Sequence, residues 1–361
     1  MSRNRYVVAL LTVGWMTSLG NADARTWSDA AGKHEVEAEL IDFNDEKIWL
    51  RRDEDRRVFV ILLAELSRPD RQHVGQLARR RREIIAADAV GGPRVIAYGT
   101  GRKLCELANP LIDESSGLAC SRARPGAFFT HNDSGSEARI FAFDVAGGDL
   151  GHCLLADTRA YDWEDMASFT HAGKHYLLLA DTGNNGLAAS VQMLHLVEEP
   201  AIHPVRGITA GQIPVVQTIH FSYFDDHRDC EALAVDPTDR TILLVTKQRD
   251  TQCYVYAMPW PKDDREKVFA ARKIATLEIP AVTAMDISPD GRRAIVLTYS
   301  HAYEYTRGTD EDWPKAFSRR GRMLAMPRRD QGESICYGAD GKTLYLTSEG
   351  KDTPLFSVAP N

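Results

Sequence analysis

A glutamate, or in one case a threonine, opens each of five strand-like runs. They are Glu114-Ser-Ser-Gly-Leu-Ala, Glu164-Asp-Met-Ala, Glu231-Ala-Leu-Ala-Val-Asp-Pro, Thr283-Ala-Met-Asp-Ile-Ser-Pro and Glu333-Ser-Ile-Cys-Tyr-Gly. A second apolar run follows each and ends in polar residues: Asn132-Asp133, Asp181 with Asn184, Lys247, Tyr299 and Glu349. In three cases the second polar group trails the first by 16 residues. Carboxylates converging from such repeats repel one another unless they are protonated, paired or bridged by a cation. Hard oxygen donors suit calcium, which gathers six to eight of them. Glu114, Glu164, Glu231, Glu333, Asp133 and Asp181 are therefore candidate metal ligands, and calcium is the candidate cofactor. Asn132 and Asn184 would add oxygens. The competing reading is structural: a strand-opening Glu accepts backbone N–H groups from its neighbour and locks the repeats together. Lys247 is the one obvious cation, placed to neutralise Glu231 or Glu333.

Other chemistry lacks its signature. There is no Gly-x-Ser-x-Gly elbow, His-Glu-x-x-His pair, Walker loop or EF-hand loop. Gly99-Thr-Gly101 is a turn. No histidine pair has ligand spacing; His131 adjoins the acids and is either a base or a hydrogen-bonded loop residue. Asp162-Trp163-Glu164-Asp165 offers Trp163 either to a carbohydrate or to packing. No catalytic nucleophile stands out.

The elements that must position the acids follow from the repeat. The openings are separated by 50, 67, 52 and 50 residues, and each interval holds about four short strands, the mark of a propeller blade. The chain is thus expected to be mainly β, with a propeller over residues 93–361 of five blades, or six if the 67-residue interval hides another. The last repeat has three strands, so its outer one is expected from Arg94–Tyr98 or Leu104–Leu107. In a blade the first strand starts, and the second ends, on one face of the disk, which brings the acids to one mouth of the channel.

The 361 residues are 43% hydrophobic and 26% charged, which excludes disordered and multi-span membrane classes. A net charge of -7 argues against nucleic acid. Arg3 and Arg5, the apolar stretch Tyr6–Leu19 and Ala22-Asp23-Ala24 read as a cleaved secretory signal over residues 1–24. The chain would then be exported, to the periplasm or beyond, with no span left after cleavage. Six cysteines permit fifteen pairings or none. Residues 25–75 show short strands broken at Asn44-Asp45 and Asp53–Asp55, a curled sheet or small barrel. Ser67 and Asp70 start a helix, continuing as a linker over 76–92 with the solvated run Arg79–Arg82. Gly91-Gly92-Pro93 ends it.

The segments RTWSDAAGKHEVEAEL and KIWLRRDEDRRVFVILLAELSRPDRQHV resemble the first homology domain of the Sla-type endocytic adaptors, a small SH3-like barrel. The resemblance implies a protein or peptide partner bound through residues 25–75. ESSGLACSRARPGAFFTHNDSG, DWEDMASF, LLLADTGNN, CEALAVDPTDRTILLVTK, VTAMDISPDGRRAIVLTYSHAYEY and QGESICYGADGKTLYLTSEG resemble a family of secreted bacterial β-propellers. More distantly they are similar to phytase-like and lactonase-like propellers, where channel acids hold metal. Two functions stay open: an exported binding or scaffold protein with a small-molecule or anionic ligand at the mouth, or a metal-dependent phosphoesterase or lactonase acting there.

Overall fold

The computed structural model describes residues 25–361 except 56, 90–94, 134, 248–251 and 262–267. The secretory signal and the Gly91-Gly92-Pro93 breaker lie outside the described residues. Among those described, no helix is long and apolar enough to cross a membrane.

The first unit is a four-stranded antiparallel sheet, β1 (Arg25–Ser28), β2 (Glu35–Phe43), β3 (Lys47–Arg52) and β4 (Val58–Leu62), in that order. Alternation along the strands sends Trp27, Ala38, Phe43, Ile48 and Leu50 inward with Leu66 and Val74. Trp27 is buried with its indole N–H satisfied by Ala38 O at 3.0 Å. Helix α1 (Arg68–Ala89) follows. Its start is held by Ser67 Oγ, which accepts from Asp70 N and donates to the Asp70 carboxylate. That buried carboxylate also takes Ser28 N at 2.9 Å and Arg25 at 2.6 Å, tying the helix to β1. The Ser-x-x-Asp spacing thus does more than cap a helix.

The remaining strands form five blades among the described residues. After β5 (Arg102–Glu106), blade 1 is β6 (Ser115–Cys120), β7 (Ala127–Asn132), β8 (Arg139–Asp144) and β9 (Asp149–Leu155). Blade 2 is β10 (Trp163–His171), β11 (Lys174–Asp181) and β12 (Gln192–Glu198); after three two-residue strands, β13 (Ile202–His203), β14 (Gly207–Ile208) and β15 (Gln212–Ile213), it is completed by β16 (Gln217–Tyr223). Blade 3 is β17 (Cys230–Val235), β18 (Ile242–Thr246), β19 (Cys253–Met258) and β20 (Phe269–Leu277). Blade 4 is β21 (Val282–Ile287), β22 (Arg293–Thr298) and β23 (His301–Thr306), then the short α2 (Trp313–Phe317) and β24 (Arg322–Ala325). Blade 5 is β25 (Ser334–Tyr337), β26 (Leu344–Thr347) and β27 (Pro354–Val358), with β5 as its outer strand.

The long interval is an excursion, not a sixth blade: β15 leaves blade 2 to pair in parallel with β9 of blade 1. The closing strand is Arg102–Glu106, and Tyr98 adds a bridge to Pro360. Apolar clusters sit at all five junctions between successive blades, which is what a closed ring requires. All six cysteines are free thiols.

The barrel and helix pack on blade 4. Ile84 and Ile85 of α1 lie against the blade 3–4 core, and Asp88 pairs with Arg320 and accepts from Met323 N. The helical run expected to be solvated is so at Arg79, Arg80 and Arg82, but Arg81 is buried. Its guanidinium lies over the Phe43 ring and donates to Phe43 O at 2.9 Å and Asp42 Oδ1 at 3.1 Å. Ser300 of the propeller donates to Asp42 Oδ2 at 2.5 Å. Helical periodicity turns one arginine of four inward, where the barrel (Asp42, Phe43) and the propeller (Ser300, His301) together supply its surroundings. Removing one partner of a buried pair costs about 3–5 kcal/mol. Arg81→Ala should therefore lower the urea midpoint markedly, whereas Arg82→Ala should leave it within error. Equal midpoints for the two variants would contradict this docking.

Candidate metal centre at the propeller mouth

The inner strands begin irregularly. Register breaks between Trp163 and Asp165, Cys230 and Ala232, and Val282 and Ala284. Glu164, Glu231 and Thr283 are the extra residues at these bulges, and a bulge re-aims a side chain out of the ladder. In blade 5 Glu349 N donates to Gln331 O, as Lys247 N donates to Asp229 O in blade 3, so Glu333 matches Glu231. The same contact in blade 1 runs from Asp133 N to Glu114 O, so the ring position there is Ser116. Glu114, expected in the ring, is exposed and two residues ahead of it. The offset arises because blade 1 breaks register over two residues, Ser116 and Gly117.

Two acids that the sequence reading passed over hold the matching place ahead of the ring: Asp162 and Asp229. Their signal was an Asp-x-Glu repeat, Asp162-Trp163-Glu164 and Asp229-Cys230-Glu231. Asp133, Asp162 and Glu164 come together, with one oxygen of each lying within 4.8 Å of the others. A Cβ on Gly183 would overlap carboxylate oxygens of both Asp162 and Glu164. A glycine therefore keeps this cradle open.

Across the mouth Lys247 Nζ donates to Glu231 Oε2 at 2.9 Å and lies 5.3 Å from the Tyr299 ring centre. Tyr299 in turn stacks on Trp49 of the barrel, with centroids 5.3 Å apart. Burial, then Glu231 and Asp133, hold Glu164 well above the usual carboxylate range. Burial pushes Asp162 up to about 6, helped by Asp133 and Glu231. Burial also pushes Asp229 and Glu349 to about 7 and Glu333 to about 8, each with a neighbouring carboxylate adding to the shift. Lys247 opposes all of these shifts.

The other expected groups are engaged elsewhere. Asp181 accepts the N–H groups of Asp162 and Tyr161 and lies 3.6 Å from His195, so it shapes the turn that carries Asp162. Asn132 donates to Leu111 O and Asp113, and Asn184 bonds Ala188, Ala189 and Arg228. Both amides anchor loops. His131 is fully buried, its pKa held at about 4 by burial, with its ring edge-on to buried Trp163. Inter-blade locking is performed by different acids. Asp165 accepts from Met166 N in its own blade and from Leu233 N and Met285 N in the next two, and Asp286 accepts from Tyr337 N.

The family model for SLA1 homology domain 1, SHD1, matches residues 20–81. The barrel is thus shared with that family, and the match runs into α1. No curated protein sequence matches the chain. Among solved structures, the chain is similar to a gluconolactonase from Xanthomonas campestris, with a TM-score of 0.39 and 12% identity over 94% of this chain and 88% of that one. It is also similar to the Dos1 propeller, with a TM-score of 0.34 and 10% identity over 93% and 82%.

The raised acids give stability a pH slope. Unfolded carboxylates release protons near pH 4, so from there to the folded values the folded chain binds more protons and loses stability as pH rises. Buried His131 and His301, held at about 4 and about 3, act in the opposite sense. They lose stability as pH falls, but only below about 6.5, the unfolded histidine value. Between about pH 6.5 and 8 the histidine contribution, that of His73 included, fades out and the acids dominate. The metal-free melting temperature should fall across that window, and Glu333→Gln should flatten the fall. A level or rising profile in the unaltered protein would contradict the crowding.

Proposed function

We propose that this is a binding protein in which the SHD1 barrel and the propeller act as one ligand-presenting unit. Its propeller mouth takes up calcium through Asp133, Asp162 and Glu164. The observation that carries the reading is the approach of those three carboxylates beside a glycine that leaves them room. Three oxygens leave a calcium ion several positions for water or for a ligand's own oxygens. A small anionic or polyhydroxylated molecule is the class such a bridge would hold. The residues that flank the cradle set its field: Glu231 is already paired with Lys247, while Glu333 and Glu349 lie further round the mouth.

The same proposal places the mature chain outside the cytoplasm, supported by Arg3, Arg5, the apolar stretch Tyr6–Leu19 and Ala22-Asp23-Ala24. Calcium is abundant enough there for a modest site to fill. A second reading, metal-assisted hydrolysis of a phosphoester or lactone, is favoured by one observation. Asp229, with a pKa near 7, has the basicity a general base needs at neutral pH.

Calcium that binds only the folded chain stabilises it by about 2.7 kcal/mol at a hundred times its dissociation constant. The melting temperature should therefore rise with calcium and fall back with chelator. Gly183→Ala, which alters no charge, should abolish the response, and Glu164→Gln should weaken it while the protein still folds. A melting temperature indifferent to calcium and chelator would eliminate the metal reading. Calcium-stimulated turnover of a phosphoester or lactone, lost in Asp229→Asn, would move the assignment from binding to hydrolysis.

A further inference from the structure

The inward side of helix α1 carries Asp70, Val74, Leu77 and Arg81, which meet the barrel and blade 4. A helix turns about 100° per residue, so Arg68, Arg71, Arg79 and Arg82 fall on the opposite side in a stripe roughly 80° wide. All four are exposed, and among the described residues none of them is in an ion pair. Arg71 is steadied at the helix start, where it donates to Ala64 O at 3.2 Å and Leu66 O at 2.8 Å. These carbonyls fix the guanidinium without cancelling its charge.

The acids on and beside the helix are mostly committed. Asp70 pairs with Arg25, Asp42 with Arg81 and Asp88 with Arg320, and Glu65 accepts from Leu62 N. Glu83 borders the stripe. A chain of net charge -7 thus concentrates uncompensated positive charge on one helix face. That charge is not continuous. Arg68 with Arg71 and Arg79 with Arg82 form two pairs, and Arg71 and Arg79 are eight residues apart, about 12 Å along the axis. Between the pairs lie exposed Gln72 and Gln76, with Gly75, where an added Cβ would meet nothing within 4 Å.

We propose that this face binds an acidic polysaccharide laid along the helix. Carboxylates on separated sugars meet the two arginine pairs, and hydroxyl groups between them meet the amides of Gln72 and Gln76. A guanidinium grips a carboxylate through two parallel N–H groups, and an amide both donates to and accepts from a hydroxyl. The spacing favours this partner over other polyanions. In a nucleic acid every unit carries a phosphate, and unpaired bases seek aromatic faces. Insertion into a bilayer surface needs large apolar side chains. The stripe holds neither aromatic nor large apolar residues. The inference does not rest on the calcium cradle, because a metal-free acidic mouth repels the same polymer.

A fluorescent oligogalacturonate, titrated into the full mature chain in chelator and at low salt, tests it. It should bind and lose affinity as salt rises, whereas a neutral glucan should not bind. Joint Arg79→Gln and Arg82→Gln should weaken binding on the order of tenfold at an unchanged melting temperature. Joint Arg206→Gln and Lys342→Gln, the same charge lost from exposed positions elsewhere, should leave it unchanged. Glu83→Gln should tighten it. Glu164→Gln should weaken the calcium response and leave this binding intact, so the two readings fail separately. No binding at low salt, or equal affinity with and without Arg79 and Arg82, would overturn the proposal. So would tighter binding of single-stranded DNA or of phosphatidylglycerol vesicles, which would assign the face to a different partner.

Discussion

Like charge held at close range is the constraint around which this molecule is arranged. A propeller brings the start of every inner strand to one mouth, and here the arriving residues are mostly acids. The bulges at Glu164 and Glu231 lift those side chains out of the ladder, and Asp162 and Asp229 arrive two residues earlier. Lys247 can pair with only one of them and takes Glu231. The surplus is managed by protons, which is why burial and mutual repulsion raise Asp229, Glu333 and Glu349 toward neutrality. Asp162 and Glu164 are raised in the same way, and a cation that replaced their protons would relieve the same repulsion, so ion uptake and fold stability are expected to be linked.

The ring itself does not depend on those acids. Asp165, buried at the centre, accepts backbone N–H groups from blades 2, 3 and 4, and Asp286 ties blade 4 to blade 5. Separating lock acids from mouth acids leaves the mouth free to take a ligand without loosening the disk. The barrel adds a second level of organisation. Its Asp42 meets Arg81 and Ser300 in a buried polar contact, and Trp49 stacks on Tyr299 beside Lys247. The barrel is thereby held beside the mouth and is not left on a free tether.

Much of this was legible in the residues. The interval near 50 set the blade length, the three-stranded last repeat required a strand from upstream, and the Ser67–Asp70 spacing marked the helix start. The mouth was legible only in outline. Aligning repeats on their glutamates placed Glu114 in the ring, although Asp133 follows it by 19 residues where three other repeats show 16, and the ring position falls instead on Ser116, at the bulge. Asp181, Asn132 and Asn184 have suitable oxygens, but local backbone groups claim them, and such competition is set by loop geometry. Arg81 could not be told from its three neighbours until the surface opposite it was known. Asp162 is readable in the repeated Asp-x-Glu, two residues ahead of the glutamate at each bulge.

In the proposed calcium site one cation replaces protons among Asp133, Asp162 and Glu164. Crystals soaked in manganese, a hard divalent ion with an anomalous signal, would test it most directly. An anomalous peak is expected within bonding distance of all three carboxylates, absent from Gly183→Ala crystals. A mouth without a peak at neutral pH, with the three carboxylates unmoved, would contradict it.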